Sequence, residues 1–234
     1  MTRKLWEFIY ITQVLRLKGM LQPGRAGLGF GVGREPLPSL FAHYGCHVLA
    51  TDMGYEAASQ EGWVDSGQHC SDLSALNERG LCDPAAFAER VQFQVADMNS
   101  IAQDLRQGAF DFVWSSCAAE HLGSLAHGLE FIFSSLDCVR PGGVAVHTTE
   151  YTVSSNTRTV FEGNLVFYRK RDIEAFVKRA RRAGHRIRFN SCMGHSGFDY
   201  GFDAPPYREH FQLRLLVGDF VITSLGLIIQ KAGR

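Results

Sequence analysis

The chain has 234 residues, 45% hydrophobic and 21% charged, a mixture that excludes disordered and fibrous classes and suits one well-buried α/β domain. Its 24 basic residues balance its 24 acidic ones, which removes the electrostatic case for a nucleic-acid or anionic-membrane partner. Six scattered cysteines (Cys46, Cys70, Cys82, Cys117, Cys138, Cys192) form no C-x-x-C pair, so neither a zinc module nor a redox motif is expected. With no leader and no apolar run near the ~18 to 20 residues that span a bilayer, the chain reads as cytoplasmic, with reduced thiols.

Residues 4–18 place Leu5, Phe8, Ile9, Thr12 and Leu15 on one helical face, with Trp6 beside them and Gly19 as the stop. This leading helix, within 1–24, is expected to lie outside the nucleotide unit. A strand over 26–30 then runs into A-G-L-G-F-G-V-G-R-E-P, where Gly27, Gly29, Gly31 and Gly33 alternate. Such spacing points to a turn whose backbone is itself a binding surface. A helix opened by Pro36 or Pro38 and closed at Gly45 follows, then a strand over 47–52 ending on Asp52. Strand, glycine turn, helix and an acid ending the second strand is the opening of a nucleotide-binding α/β domain.

From Tyr55 to Glu89 periodicity is poor and the segment reads as peripheral, apart from a short helix capped by Asp83 with Pro84 in its first turn; His69 is a candidate cleft residue. A third strand is expected to end at Asp97 and a fourth near Ser115. A helix over about 124–139 is broken by Arg140-Pro141-Gly142-Gly143, and a fifth strand, V-A-V-H-T-T, follows. The last third predicts a helix over 172–183, a strand over 185–190, an irregular stretch over 192–210 and a closing strand, F-V-I-T-S-L-G-L-I-I-Q. The basic run Arg169-Lys170-Arg171, Lys178-Arg179 and Arg181-Arg182 reads as a solvated helix face. The alternation predicts a mainly parallel sheet with helices on both faces and an antiparallel end.

No register of residues 27–36 satisfies G-x-G-x-x-G, and no G-K-[ST] is present, so the dinucleotide and Walker patterns both fail. Gly29-Phe30-Gly31-Val32-Gly33, Asp52, Asp97 and Pro141-Gly142-Gly143, in that order, resemble the motifs of class I S-adenosylmethionine-dependent methyltransferases over roughly residues 25–190. The resemblance implies a Rossmann-like seven-stranded α/β sheet, helices on both faces, an antiparallel last strand and one methyltransferase domain: a donor-binding core over 25–150, then substrate-side loops and closing strands over 151–234. It implies S-adenosylmethionine packed on Gly29, Gly31 and Gly33, its ribose on Asp52 and its adenine on Asp97 and Met98, with Ser115 and Ser116 bordering the sulfonium. One departure stands out. Gly27 occupies the position where the family carries an acid for the methionine amino group, which leaves carbonyls or Glu35 to replace it.

Transfer to a hydroxyl requires a proton acceptor or a metal. Two clusters supply candidates: Glu120 and His121 after strand four, His147 and Glu150 in strand five. Adjacent Glu120 and His121 diverge by about 100° on a helix, so one of them packs or caps. His147, at the carboxyl end of a strand, is the expected general base. Alternatively Glu120, His121, His147 and Glu150 hold a divalent cation such as Mg2+.

The strings G-L-G-F-G-V-G-R-E-P-L-P, E-H-L-G-S-L and H-T-T-E-Y-x-x-S-S-N-T further resemble small bacterial methyltransferases of polysaccharide biosynthesis, above all the mycobacterial type that methylates the anomeric hydroxyl of methylmannose oligosaccharides. That implies a short, partly methylated mannoside as acceptor, with Tyr151, Asn156, Tyr168, His195, Tyr200 and Tyr207 as candidate contacts. The expected partner is such a small-molecule or oligosaccharide substrate, with neither nucleic acid nor membrane, and a homodimer is allowed. The rival readings are a metal-dependent RNA ribose methyltransferase, a non-catalytic donor-binding module and a reductase.

Overall fold

The computed structural model describes residues 2–70, 73–189, 201–207 and 213–233. Its first helix, α1 (Arg3–Leu17), begins where the Thr2 hydroxyl accepts the Leu5 N–H. The face it buries runs through Glu7, Ile11, Val14 and Leu15, while Leu5 and Ile9 are about half exposed. The expected stripe is therefore rotated. Sequence patterning sends Glu7 to solvent, but its carboxylate is buried where Lys4 Nζ (2.8 Å) and the hydroxyls of Ser116 (3.2 Å) and Ser224 (2.5 Å) satisfy it.

Next come β1 (Ala26–Phe30), α2 (Leu37–His43), β2 (His47–Asp52), α3 (Tyr55–Gln60), α4 (Pro84–Arg90) and β3 (Val91–Val95). Asp83 caps α4 as expected, accepting from Ala85 N and Ala86 N. β4 (Phe110–Ser116), the two-residue β5 (Gly123–Ser124) and α5 (Leu125–Ser134) follow. β6 (Val139–Thr152) already contains Pro141-Gly142-Gly143, so that turn is a register shift inside the strand and not a connection before it. The chain ends through β7 (Glu162–Gly163), α6 (Lys170–Arg182), β8 (Arg186–Phe189), β9 (Arg214–Val217) and β10 (Phe220–Gln230). In α6, Ile173, Phe176, Val177 and Ala180 turn inward; on its charged side Arg179 pairs with Glu130 across to α5 at 2.6 Å.

One eight-stranded sheet runs in the order β3-β2-β1-β4-β6-β10-β8, with β9 paired to β10. β3, β2, β1, β4 and β6 are parallel; β10 lies antiparallel between β6 and β8. This is the Rossmann-like class I methyltransferase fold, with β9 as an added hairpin strand. Strand alternation splits the core. Leu28, Phe30, Val113, Ala145, Leu227 and Ile229 face the α5–α6 layer, and Phe112, Trp114, Val144 and Val146 face α1 and α2. The order reverses at β1, whose neighbours are β2 and β4, and ligands of such sheets bind at the carboxyl edge beside that reversal.

Candidate active site

A cleft of about 670 Å³ opens at that edge, lined by residues following β1 (Gly31–Glu35), β2 (Asp52–Gly54), β3 (Val95–Asn99) and β4 (Ser116–Ala118), and by Lys4 and Phe8 of α1. The leading helix is thus part of the cleft wall, not an element outside it.

The four alternating glycines divide into two pairs. Gly27 and Gly29 lie in register beside Phe112 and Trp114 of β4. A Cβ on Gly27 would stand 2.3 Å from the Phe112 ring, and one on Gly29 would stand 2.4 Å from Trp114. These glycines make room for two large rings, against which Phe41 of α2 packs edge-on at 5.6 and 5.0 Å. Neither of the pair lines the cleft, which corrects the expectation for Gly29. Gly31 and Gly33 do line it, with φ of +57° and +49°, and a Cβ on Gly33 would meet Gln68 O at 2.5 Å.

Asp52 closes the turn. Its Oδ2 accepts from Gly33 N (3.0 Å) and Cys70 N (3.3 Å), its Oδ1 from Met53 N (2.8 Å). A carboxylate offers about four acceptor positions, so three backbone donors leave one for a ligand hydroxyl. Burial raises its pKa against the opposing pull of those N–H groups. The third strand stops at Val95, and Asp97 follows it as an exposed acid that accepts the Asn99 N–H (2.8 Å). Asp97 and Met98 both line the cleft.

His121 also lines the cleft. Its Nδ1 is 2.6 Å from the Asn164 carbonyl oxygen, an atom that only accepts, so Nδ1 carries the proton and a neutral ring keeps its lone pair on Nε2. Desolvation lowers its pKa, favouring that neutral form. The Trp63 ring meets it at 4.6 Å, nearly perpendicular. Trp63, Gln68, His69 and Arg79 all line the cleft, so the segment read as peripheral forms one of its walls. The aperiodic run of Gly, Trp and His was the available signal, since a segment with no packing period is free to serve a site.

His147 is elsewhere. It is fully buried on the α5 side, with Nδ1 2.8 Å from Ser115 Oγ, Nε2 3.1 Å from Ser135 Oγ and the Phe131 ring edge-on at 5.7 Å. Burial holds its pKa down near 3. Both ring nitrogens are spoken for and the residue does not line the cleft, so the expected general base is a core histidine. Ser115 is correspondingly buried against it, and Ser116 borders the cleft instead.

The four expected metal ligands do not all come together. His147 and Glu150, three apart on β6, project to opposite sheet faces, and among the described residues the acids Glu120 and Glu150 group with Cys117 and with neither histidine. Glu120 is fully buried; Thr149 donates to its Oε2 at 2.9 Å while its Oε1 has no partner. Glu120, Glu150 and Cys117 have ligand atoms within 4.8 Å of one another. However, the Arg3 guanidinium already holds both Glu150 oxygens, at 2.6 and 2.7 Å. A guanidinium on one acid and a thiol as third donor do not fit magnesium, which takes oxygen ligands. Burial raises the pKa of Glu120 and of Glu150 to about 7.

The four described acceptor contacts, Tyr151, Asn156, Tyr168 and Tyr207, also lie apart from the cleft. Tyr151 and Tyr168 are buried, the latter donating to Ala119 O at 3.3 Å. Asn156 is exposed and accepts the Arg171 N–H, and Tyr207 donates to Leu216 O. His195 and Tyr200 lie outside the described residues.

No protein-family model matches the chain, and no curated protein matches it in sequence. Solved structures do resemble it. The methyltransferase domain of a bacterial Hen1 superposes with a TM-score of 0.56 at 14% identity, over 95% of this chain and 96% of that one. Phosphoethanolamine N-methyltransferase 2 of Haemonchus contortus, in complex with S-adenosyl-L-methionine, gives 0.56 at 14% identity, over 94% of this chain and 52% of that one. The [4+2]-cyclase SpnF gives 0.58 at 14% identity, over 94% and 82%. Structural likeness at this identity establishes the fold alone; a cyclase among the matches illustrates why chemistry must be argued from the site.

Proposed function

We propose that this chain transfers a methyl group from S-adenosylmethionine to a sugar hydroxyl, with His121 as proton acceptor. The observation that carries the reading is one cleft, at the sheet's reversal point, holding Gly31 and Gly33 with positive φ, Asp52, Asp97 and a histidine with a fixed tautomer. Gly31 and Gly33 let a ligand approach the backbone. The remaining acceptor position of Asp52 suits a ribose hydroxyl, and Met98 and exposed Asp97 suit an adenine face and its amino group.

The donor supplies an activated methyl group, whose carbon bonds to the acceptor oxygen as its bond to sulfur breaks, turning the sulfonium into a neutral thioether. The chain aligns the acceptor hydroxyl and takes its proton on His121 Nε2. Trp63, partly exposed beside His121, offers a flat apolar face of the kind sugar rings pack on. The sequence resemblance selects short methylated mannosides as the acceptor class.

Incubation with labelled donor and a panel of methylated mannosides, with RNA as a parallel arm, tests the reading. The expected result is S-adenosylhomocysteine formed in step with a methylated mannoside. Donor binding without turnover on any sugar, or label in the RNA arm alone, overturns it.

A further inference from the structure

Glu35 is a buried acid on the cleft wall without an ion-pair partner among the described residues. Its backbone N–H donates to Val32 O (3.1 Å), which fixes it at the end of the glycine turn. Its Oε1 accepts the Trp114 indole N–H at 2.5 Å, and the residue is 6% exposed yet lines the cleft. Withdrawing a carboxylate from water costs heavily unless a cation matches it, and burial accordingly pushes its pKa up to about 8. The nearby Lys4 pulls that value down only in part, while Asp52 and Glu7 push it further up.

Its surroundings say what the missing cation is. The acids after β2 and β3, Asp52 and Asp97, stand on one side of the glycine turn. Glu35 stands on the other, joined to Trp114 of β4 and sharing the cleft wall with Lys4 of α1. The Lys4 ammonium is already paired with Glu7 at 2.8 Å, so that end of the cleft presents one buried acid without a cation of its own, which suits the ammonium of an amino acid. The position at Gly27 cannot contribute an acid, because the Phe112 ring fills its side-chain space. Resting on the donor reading above, we infer that Glu35 is the counter-charge for the ammonium of the donor's amino-acid end, aimed there by the Trp114 N–H.

The test compares two ligands in wild type and Glu35→Gln by calorimetry: S-adenosylhomocysteine, which carries the amino-acid end, and 5′-methylthioadenosine, which lacks it. Glutamine keeps a carbonyl for Trp114, so the turn is retained. The expected result is a roughly 10- to 100-fold loss of S-adenosylhomocysteine affinity, the worth of a charge-assisted hydrogen bond, with 5′-methylthioadenosine changed less than about twofold. Unchanged S-adenosylhomocysteine affinity, or an equal loss for both ligands, overturns the assignment while leaving the donor reading intact. Failure of the wild type to bind either ligand removes both.

Discussion

Phe112 occupies the space that a side chain at Gly27 would need, its Cζ lying 2.3 Å from where a Cβ would stand. The two residues are register partners on neighbouring parallel strands, and both face the α1–α2 layer. Phe112 is fully buried and braced edge-on by Phe41, so it has nowhere to retreat. Gly27→Ala is expected to cost roughly 1–3 kcal/mol in urea unfolding, the usual toll of overpacking. Gly27→Asp is expected to cost more, since the carboxylate would be buried without a partner. In a double-mutant cycle Phe112→Leu should relieve part of the Gly27→Ala penalty; strict additivity would show that the ring is not the obstacle.

Core burial of His147 has a pH signature. Its folded pKa, near 3, lies below the ordinary 6.5, so the folded state resists protonation. This contribution is fully present above pH 6.5 and is lost as pH falls toward 3, roughly 3 kcal/mol by pH 4. Glu35, Glu120 and Glu150 act in the opposite sense. Their raised pKa values favour the fold below pH 4.5 and withdraw that support as pH rises through about 7 to 8. Wild type and His147→Gln should therefore be compared at each pH, because the difference cancels the acids. That difference should shrink steadily from pH 7 to pH 4; a constant one would place the imidazole in contact with solvent.

The first three strands were legible because glycine and acid punctuation marks their ends from Ala26 to Asp97, whereas Pro141-Gly142-Gly143, which reads as a connection, lies inside β6. Side-chain direction was harder to read. His147 and Glu150 are three apart, an odd step on a strand, and their opposed faces follow from β6 continuing as a strand through Thr152. Proximity in sequence had suggested a shared site, and continuation of the strand separates them. Glu7 hid the true face of α1 because its burial depends on Ser116 and Ser224, 109 and 217 residues away. Trp63 was passed over for a related reason: its partner is His121, and no local period announces a contact made in the cleft.

The bond from Arg3 to Glu150 clips the start of α1 to the end of β6, and Glu120 lies beside it. Both partners are largely buried, at 18% and 8% side-chain exposure. Arg3→Met leaves two acids facing each other and is expected to destabilise the fold by about 3–5 kcal/mol at neutral pH, less in mild acid where Glu150 can take a proton. Adding Glu150→Gln should recover most of the loss. Equal stability of Arg3→Met and wild type at pH 7.5, by chemical denaturation, would show the clip to be ornamental.

His121 is the residue on which turnover should depend. The carbonyl of Asn164 holds the Nδ1 proton, so the lone pair faces away from that bond, and desolvation keeps the ring neutral at neutral pH. A group that must be unprotonated loses function as pH falls through its pKa. The acid limb of kcat should therefore lie below the ordinary histidine value of 6.5, with a plateau above it. His121→Gln should lower kcat by about 10²- to 10⁴-fold and abolish that limb, with S-adenosylhomocysteine affinity within a few-fold of wild type. Asn164→Ala is the control. The tautomer lock is a main-chain carbonyl, so deleting that side chain should leave the pH profile in place, whereas His147→Gln should alter stability far more than kcat. If His121→Gln turned over at the wild-type rate, the proton would have to leave by another route, and the neighbouring acids Glu120 and Glu150, both near neutrality in pKa, would be the next groups to remove.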